Sequence, residues 1–265
     1  MDLGLKDARV VVTGGASNIG RGIVHGYAAE GSRILICDID GDQAEKVRAE
    51  ALERGATAAE VAVADLTAPG AAESTIDMAV HRFGGIDILV NNAGWSVPSF
   101  LAEDTDRDRW QRTVEVNFFT AIAATQAALP PMKKQGHGSI VFVASEAAFG
   151  QIRQGVYGAT KAAVVALART TAREHGRHGI RSNIVCPGLV IPEGPDAVGA
   201  KSLWAVGQDN IFNEKQIDYL LKDTPLRRIT KAEDVANAVL WLSSDRAARQ
   251  VTGQLFSVSG GYTMP

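Results

Sequence analysis

Two side chains that could exchange a proton with an alcohol stand four residues apart in the segment "YGATK". Tyr157 and Lys161 begin a helical pattern, so we expect them to share one helix face about 5 to 6 Å apart. A free phenol has a pKa of about 10, and a neighbouring ammonium favours the ionised form. We therefore expect a lowered pKa for Tyr157 and a role as general acid or base. Ser145, twelve residues upstream at the end of an apolar run, could hydrogen-bond the reacting oxygen.

A glycine-rich turn, "TGGASNIGRG", joins the first apolar run to a helical pattern. Gly14 allows a sharp turn, Gly20 allows the helix to approach the strand, and the free N–H groups at the helix start favour a pyrophosphate. Asn18 stands where such a loop more usually has glycine. Asparagine tolerates tight backbone, and its amide can donate to a phosphate oxygen. The sequence therefore predicts a dinucleotide site here.

A carboxylate, Asp38, ends the second apolar run at the distance from the turn that is typical of a ribose-binding residue. It would accept hydrogen bonds from the adenosine ribose diol and repel a 2′-phosphate. Neither Ser17 nor Ile39 is basic, so neither would pair with that phosphate. The expected cofactor is NAD rather than NADP.

The elements that position these residues are short apolar runs that alternate with longer helical patterns, which is typical of parallel βαβ units. The runs are apolar at consecutive positions, so helices should cover both faces of the sheet. The predicted strands span 9–13, 33–38, 58–65, 86–94, 138–145, 181–188 and 254–260, and the predicted helices span 20–30, 41–54, 69–83, 106–134, 156–178 and 232–244. We expect an α/β fold of the Rossmann type, a doubly wound, seven-stranded parallel sheet in one domain over 1–265.

The least regular stretch, residues 189–229, follows the carboxyl end of a predicted strand and is called the lobe below. Ligands bind at that edge of open α/β sheets, so we expect the lobe to contact substrate. Its aromatic and apolar side chains, with Trp95 outside it, either line an apolar pocket or pack the lobe onto the body. These residues are Leu203, Trp204, Ile211, Phe212 and Tyr219.

The composition, 46% hydrophobic and 22% charged over 265 residues, is that of an ordinary globular chain. A formal net charge of −3 gives no basic field for nucleic acid. No segment reaches the ~20 apolar residues that cross a bilayer, and no signal-like segment opens the chain, so we expect no membrane partner and a cytoplasmic location. Cys37 and Cys186 are expected to be buried thiols, and the histidines complete no metal set, so no metal is expected.

The chain resembles the short-chain dehydrogenase/reductase family, in its single-domain form, from end to end. The motifs that carry the resemblance occur in the family's order: "TGGASNIG", Asp38, "AD" at 64–65, "NNAG" at 91–94, Asn117, Ser145, "YGATK", "CPG" at 186–188 and "VTGQLFSVSGG". The stretches "NNAGW", "TAREHGRHGI" and "SVSGGYTM" are similar to those of dehydrogenases of the 2-hydroxycyclohexanecarbonyl-CoA type.

The resemblance implies a role for each matching residue. Tyr157 would be the general acid/base, and Lys161 would hold the nicotinamide ribose and lower the pKa of the phenol. Ser145 would orient the substrate, and Asn117 would position a water in a proton relay. The implied cofactor-binding residues are Gly14, Ser17, Asn18, Ile19, Gly20, Asp38, Asp65, Leu66, Asn92, Tyr157, Lys161 and Val190. The resemblance also implies a homotetramer that pairs the helices at 106–134 and 156–178 across two-fold axes.

Three departures from the family pattern bear on the site. Asn18 replaces the middle glycine, Pro192 stands where a threonine often touches the nicotinamide amide, and the interval from Ser145 to Tyr157 is twelve rather than the commoner thirteen. None of them removes a catalytic group. Proline lacks the N–H and the hydroxyl, so neighbouring groups would have to anchor the cofactor on that side.

The expected reaction is the NAD-dependent interconversion of a secondary alcohol and a ketone. An alicyclic or hydroxyacyl compound is the first candidate substrate. The alternatives are a 3-oxoacyl-thioester reductase, a sugar or polyol dehydrogenase and, in a different class, a nucleotide-binding module without catalysis. Residues 95–101, 146–156 and 189–229 would set the choice, and they match no general motif.

Overall fold

The strands form one parallel sheet in the part of the chain that the computed structural model describes, residues 2–206 and 213–265. They are β1 (Arg9–Thr13), β2 (Arg33–Asp38), β3 (Ala58–Val63), β4 (Ile88–Asn91), β5 (Gly138–Val143), β6 (Ile180–Pro187) and β7 (Leu255–Val258). Their order is β3-β2-β1-β4-β5-β6-β7, which reverses between β1 and β4. The connections on the two sides of this point lead away from each other, so a crevice opens at the carboxyl ends of the strands.

Helices cover both faces of this sheet, which confirms the predicted doubly wound α/β fold. They are α1 (Asn18–Ala29), α2 (Gly41–Glu53), α3 (Ala71–Phe83), α4 (Arg107–Val114), α5 (Thr120–Gln135), α6 (Gly155–His175), α7 (Glu214–Asp223), α8 (Ala232–Ser243) and α9 (Asp245–Ala248). A π-helical turn, Glu115–Phe119, lies between α4 and α5. The pattern at 106–134, predicted as one helix, is therefore interrupted.

The consecutive apolar residues of the central strands explain the two layers. In β1, Val10, Val11 and Val12 are all buried. Val10 and Val12 belong to the core under α1, α2 and α8, whereas Val11 belongs to the core under α3, α5 and α6. Alternate side chains of one strand thus enter opposite cores, and both need a helical cover. Cys37 and Cys186 are buried free thiols, as predicted.

Several predicted strands end early in the structure. At the crevice, side-chain hydrogen bonds replace the backbone hydrogen bonds between strands. The strand predicted to run from 86 to 94 ends at Asn91, and the next residue, Asn92, donates its side-chain amide to the carbonyls of Thr13 and Gly14. The strand predicted to reach 65 ends at Val63, since Asp65 closes its own turn with Thr67.

The lobe contains α7 and several 3₁₀ turns. Ile211 and Phe212, two of its predicted apolar residues, lie outside the described residues. Within residues 2–206 and 213–265, none of the helices combines the length and the apolar character that crossing a membrane requires.

Candidate active site

The turn between β1 and α1 forms a cradle that only small residues allow. Gly14 has a φ of 61°, and a Cβ placed on it would lie 2.9 Å from the Cα of Ala93. A Cβ on Gly20 would overlap the carbonyl oxygen of Gly14. Such a backbone concavity at the start of a helix suits the pyrophosphate of a dinucleotide, and a methyl group on either glycine would fill it.

Asn18 keeps the cradle intact, as the sequence predicts. Its φ is 44°, in the left-handed region that asparagine tolerates. Its Nδ2 donates to the carbonyl of Val190 at 3.1 Å, so one amide hydrogen ties the turn to the chain beyond β6. This bond brings two of the predicted cofactor-binding positions together and leaves the second amide hydrogen for a ligand.

Asp38 lies at the carboxyl end of β2 beside this cradle. Its Oδ2 accepts from the Ala16 N–H at 2.9 Å and its Oδ1 accepts from the Asp40 N–H at 3.0 Å, so the carboxylate has a fixed orientation. Burial raises the pKa of Asp38, although these backbone hydrogen bonds act in the opposite direction. A carboxylate that is held in this way can accept from a ribose diol on its remaining lone pairs.

Asp65 and Leu66 line the same cleft farther along the sheet edge. Asp65 accepts from the backbone N–H and the hydroxyl of Thr67 at 3.0 and 2.7 Å, and these bonds lower its pKa. Asp65 is therefore ionised at neutral pH.

Tyr157 and Lys161 lie side by side at the start of α6. The Nζ of Lys161 lies 5.7 Å from the centroid of the Tyr157 ring and donates to the carbonyl of Val143 at 2.9 Å. Lys161 is buried, and this desolvation lowers its pKa to about 8. The sequence correctly predicts that the two side chains are neighbours.

The predicted lowering of the Tyr157 pKa is wrong for the chain by itself. Desolvation raises the pKa of the phenol to about 12, and a hydrogen bond with Ser145 offsets only part of that effect. The ammonium of Lys161 lies near the ring and is directed to the Val143 carbonyl, so it does not provide the predicted decrease. The isolated chain therefore holds Tyr157 as a neutral phenol.

Ser145 and Asn117 lie close behind these two residues. The Oγ of Ser145 accepts from the Ala147 N–H at 3.1 Å and thereby begins the turn after β5. Asn117 is buried in the π-helical turn, where it accepts from the Trp95 N–H at 2.9 Å and donates to the carbonyls of Trp95 and Thr113. Both hydrogens of the Asn117 amide are thus used by the backbone, and its role in positioning a water stays a prediction.

A cleft of about 340 Å³ joins these parts of the site. It runs from the glycine cradle past Asp38 and Asp65 to Tyr157 and Lys161. The predicted residues that line it are Gly14, Ser17, Asn18, Ile19, Gly20, Asp38, Asp65, Leu66, Asn92, Tyr157 and Lys161. Asn117, Ser145 and Val190 are not among the lining residues and support it through the bonds described above.

Several lining residues are missed or left open by sequence reasoning. Arg112 lines the cleft, and its guanidinium lies over the ring of Trp95, 5.5 Å from the ring centroid. Trp95, Leu203 and Trp204 line the cleft, whereas Tyr219 is largely exposed. Lys201 also lines the cleft, and no local motif marks it because it lies 163 residues after Asp38. Among the described residues, no three His, Cys, Asp or Glu side chains are grouped so that they could hold a metal ion.

Comparisons with known proteins agree with this arrangement. A family model described as enoyl-(acyl carrier protein) reductase matches residues 14–263. The chain is 35% identical over 264 residues to the (2S)-[(R)-hydroxy(phenyl)methyl]succinyl-CoA dehydrogenase subunit BbsD of Thauera aromatica, with 99% of each chain covered. It is 36% identical over 262 residues to the L-rhamnose 1-dehydrogenase (NAD(P)(+)) of Sphingomonas sp. (strain SKA58), covering 97% of this chain and 96% of that relative.

A solved structure is similar over nearly the whole chain. It is a 7 alpha-hydroxysteroid dehydrogenase complexed with NADH and 7-oxo glycochenodeoxycholic acid, and it has 31% sequence identity and a TM-score of 0.88. The match covers 98% of this chain and 96% of that one. The likeness therefore includes the sheet, the helices and both sides of the cleft.

Proposed function

The chain belongs to the short-chain dehydrogenase/reductase family of oxidoreductases, and from that premise we propose that it interconverts a secondary alcohol and a ketone with NAD as cofactor. One observation carries the proposal. The glycine cradle, the ribose-side carboxylate Asp38 and the Tyr157–Lys161 pair line one continuous cleft. A phosphate cradle and a proton-transfer pair in one cleft are the parts that hydride transfer to or from a carbinol carbon requires.

The side chains divide the work of proton transfer. When bound, the nicotinamide ring supplies the acceptor or the donor of the hydride. Tyr157 is a neutral phenol in the chain alone and can donate its proton to a carbonyl oxygen, which leaves a phenolate; in the oxidative direction that phenolate takes the proton of the alcohol. Ser145, which is hydrogen-bonded to Tyr157, orients that oxygen, and Lys161 would hold the nicotinamide ribose when the cofactor is bound.

NAD is the proposed cofactor because Asp38 would meet the 2′-phosphate of NADP as a like charge. A contact of this kind costs more than ~1.4 kcal/mol, which corresponds to about tenfold in affinity. We expect calorimetric titration to show NAD⁺ binding at least tenfold more tightly than NADP⁺. Equal affinities for the two nucleotides would mean that Asp38 does not contact the ribose, and they would contradict the assignment of NAD as cofactor.

The proposed substrate is an alicyclic or hydroxyacyl compound. Trp95, Leu203 and Trp204 give the cleft apolar walls, and the lobe, residues 189–229, supplies two of them. The relative from Thauera aromatica is named for an aryl-substituted acyl-CoA, and the similar solved structure holds an oxo-steroid derivative. The relative that acts on L-rhamnose keeps a sugar dehydrogenase as the second candidate.

A substrate panel tests the function directly. Alicyclic alcohols, hydroxyacyl thioesters, 3-oxoacyl thioesters and polyols are each mixed with the protein and the appropriate form of the nicotinamide cofactor, and the ultraviolet absorbance of the reduced nicotinamide is followed. We expect the highest kcat/KM for an alicyclic or hydroxyacyl member. If nucleotide binds and no member of any class turns over, the chain is a nucleotide-binding module rather than a dehydrogenase of these substrates. The cytoplasmic location stays a prediction.

A further inference from the structure

A segment of the lobe, residues 196–201, reaches across the cleft and packs against the start of α2; we call it the strap. Its last residue, Lys201, donates its backbone N–H to Asp40 Oδ2 at 3.1 Å and its Nζ to the carbonyl of Ile39 at 2.8 Å. These contacts connect a segment that follows β6 with the loop that follows β2, on the far side of the crevice. The strap therefore contacts the adenosine side of the proposed cofactor site.

The middle of the strap fits too closely for its position to be incidental. The N–H of Gly199 donates to Ser17 Oγ at 3.2 Å. A Cβ on Gly199 would overlap the carboxylate of Asp40 and lie 2.7 Å from the Cβ of Gln43. Only glycine lets the strap lie this near to α2.

The first residue of the strap anchors it farther along α2. The carbonyl of Asp196 accepts from Gln43 Nε2 at 3.2 Å, and its carboxylate pairs with Lys46 Nζ at 2.6 Å. This ion pair is exposed, so it contributes little. The buried contacts of Gly199 and the two bonds of Lys201 hold the strap instead.

The strap brings an ammonium group to the loop that directly follows the ribose-side carboxylate. Among the described residues that line the cleft, the cations are Arg112, Lys161 and Lys201. Arg112 stacks on Trp95 and Lys161 is buried beside Tyr157, whereas Lys201 is bonded to the residue that directly follows Asp38. Asp38 and Lys201 therefore line the same end of the cleft, where we place the adenosine ribose.

We propose that the strap is the outer wall of the adenosine-ribose site and that Lys201 is a second residue that decides between NAD and NADP. The inference rests on the proposed nucleotide site. Asp38 dominates in the parent because its carboxylate is partly buried and fixed by two backbone N–H groups. Once the charge of Asp38 is removed, Lys201 becomes the cationic partner of a 2′-phosphate.

A double-mutant cycle tests the role of Lys201 by binding alone. Asp38→Asn removes the charge and keeps one of the two acceptor oxygens, so the side chain can still accept from either the Ala16 or the Asp40 N–H group. We expect calorimetry to show that Asp38→Asn tightens NADP⁺ binding tenfold or more. Adding Lys201→Ala should then lower the NADP⁺ affinity about fivefold, while the NAD⁺ affinity changes less than about twofold. The fivefold effect should shrink as salt is added, since Lys201 is exposed. Lys215→Ala, a charge-matched control on α7 outside the cleft lining, should remove none of the gain.

A second variant moves the strap without changing charge. Gly199→Val should displace the strap from Asp40 and Gln43, so in the Asp38→Asn background it should weaken NADP⁺ binding about as much as Lys201→Ala. Gly176→Val is the control, because a Cβ at Gly176 meets nothing within 4 Å and its backbone lies in the right-handed region. A circular dichroism spectrum like that of the parent shows that each variant is folded.

The outcomes separate this inference from the proposed function. If the parent binds neither nucleotide, the proposed cofactor site fails and the inference fails with it. If the parent binds NAD⁺ and Asp38→Asn gains NADP⁺ affinity that Lys201→Ala and Gly199→Val leave untouched, the cofactor site stands and the strap is not part of its ribose wall.

Discussion

The hydroxyl of Tyr157 is the group whose removal separates proton transfer from binding. Tyr157→Phe keeps the ring that lines the cleft and removes the proton carrier. We expect turnover to fall by about 10²-fold or more, the usual contribution of a positioned acid or base, while NAD⁺ affinity changes little. Steady-state kinetics on the best substrate of the panel, together with calorimetry, would measure both. Parent-level turnover by Tyr157→Phe would rule out this proton path.

Lys161 is buried, and the charge on its side chain lowers the free energy of unfolding by an amount that depends on pH. Its pKa is lowered from 10.5 to about 8, so between these values the unfolded chain binds more protons than the folded chain. The free energy of unfolding should therefore rise with pH through this window, by an amount on the order of 3 kcal/mol at most. Below pH 8 the cost of charging the buried amine is fully present.

Lys161→Met provides the comparison, because methionine fills similar space without a charge. Urea unfolding of the parent and of Lys161→Met at pH 7 and pH 10, without nucleotide, gives the two pH dependences. We expect the parent to gain more stability than the variant over this range. Equal gains would mean that Lys161 keeps its ordinary pKa in the folded chain.

At the residue scale, the sequence identifies the chemical groups but not their environments. The spacing of Tyr157 and Lys161 predicts their pairing, because helix geometry is local. The pKa of Lys161 depends on burial among residues outside its own helix, such as Val143 and Gly94, and spacing carries no such information. Lys201 reaches the ribose side only through the path of the lobe, which has no local signature.

At the element scale, the β1–α1 turn requires a residue at position 20 that has a poor helix propensity. Ala is a better helix former than Gly by about 1 kcal/mol, so Gly20→Ala should stabilise an isolated helix. In this fold the new Cβ would overlap the Gly14 carbonyl. We expect a loss of about 2 kcal/mol in the free energy of unfolding and at least a tenfold loss of NAD⁺ affinity, measured by urea unfolding and calorimetry.

Gly176→Ala is the matched control for the turn, since a Cβ there has open space. It should leave NAD⁺ affinity unchanged and should not reduce stability. Gly20→Ala with parent-level stability and binding would show that the turn relaxes freely, and the cradle would then not depend on glycine.

The helix predicted over 106–134 is interrupted by a π-helical turn. The pattern over 106–134 is helical throughout, yet the backbone widens at Glu115–Phe119. Asn117 uses this turn to bond the backbone of Trp95, 22 residues earlier. π-Helical turns are frequent at functional sites. The long-range hydrogen bonds of Asn117 leave the local apolar pattern unchanged, so the sequence pattern does not reveal this turn. The existence and order of the elements could be predicted, whereas their ends at the crevice could not.

For the whole molecule, apolar side chains remain exposed beside the helices that the family resemblance pairs across two-fold axes. Phe119 is 55% exposed between α4 and α5, and Phe100, Leu101 and Ile152 are exposed on the loops that precede α4 and α6. If these helices pair between subunits, as the family resemblance implies, an exposed aromatic side chain between them would be covered in the oligomer. We therefore predict that Phe119 lies in a subunit interface.

Light scattering of the parent should therefore give about four times 28.0 kDa, the mass expected for a homotetramer. Phe119→Asp places a charge where the interface would have to desolvate it, so the mass should fall to that of a dimer or monomer while circular dichroism stays unchanged. Val63→Asp, the control, adds the same charge at an exposed valine at the end of β3, the edge strand, and should leave the mass at the parent value. A parent that is monomeric at micromolar concentration would contradict the tetramer. A tetramer that Phe119→Asp leaves intact would place the subunit contacts on another face of the molecule.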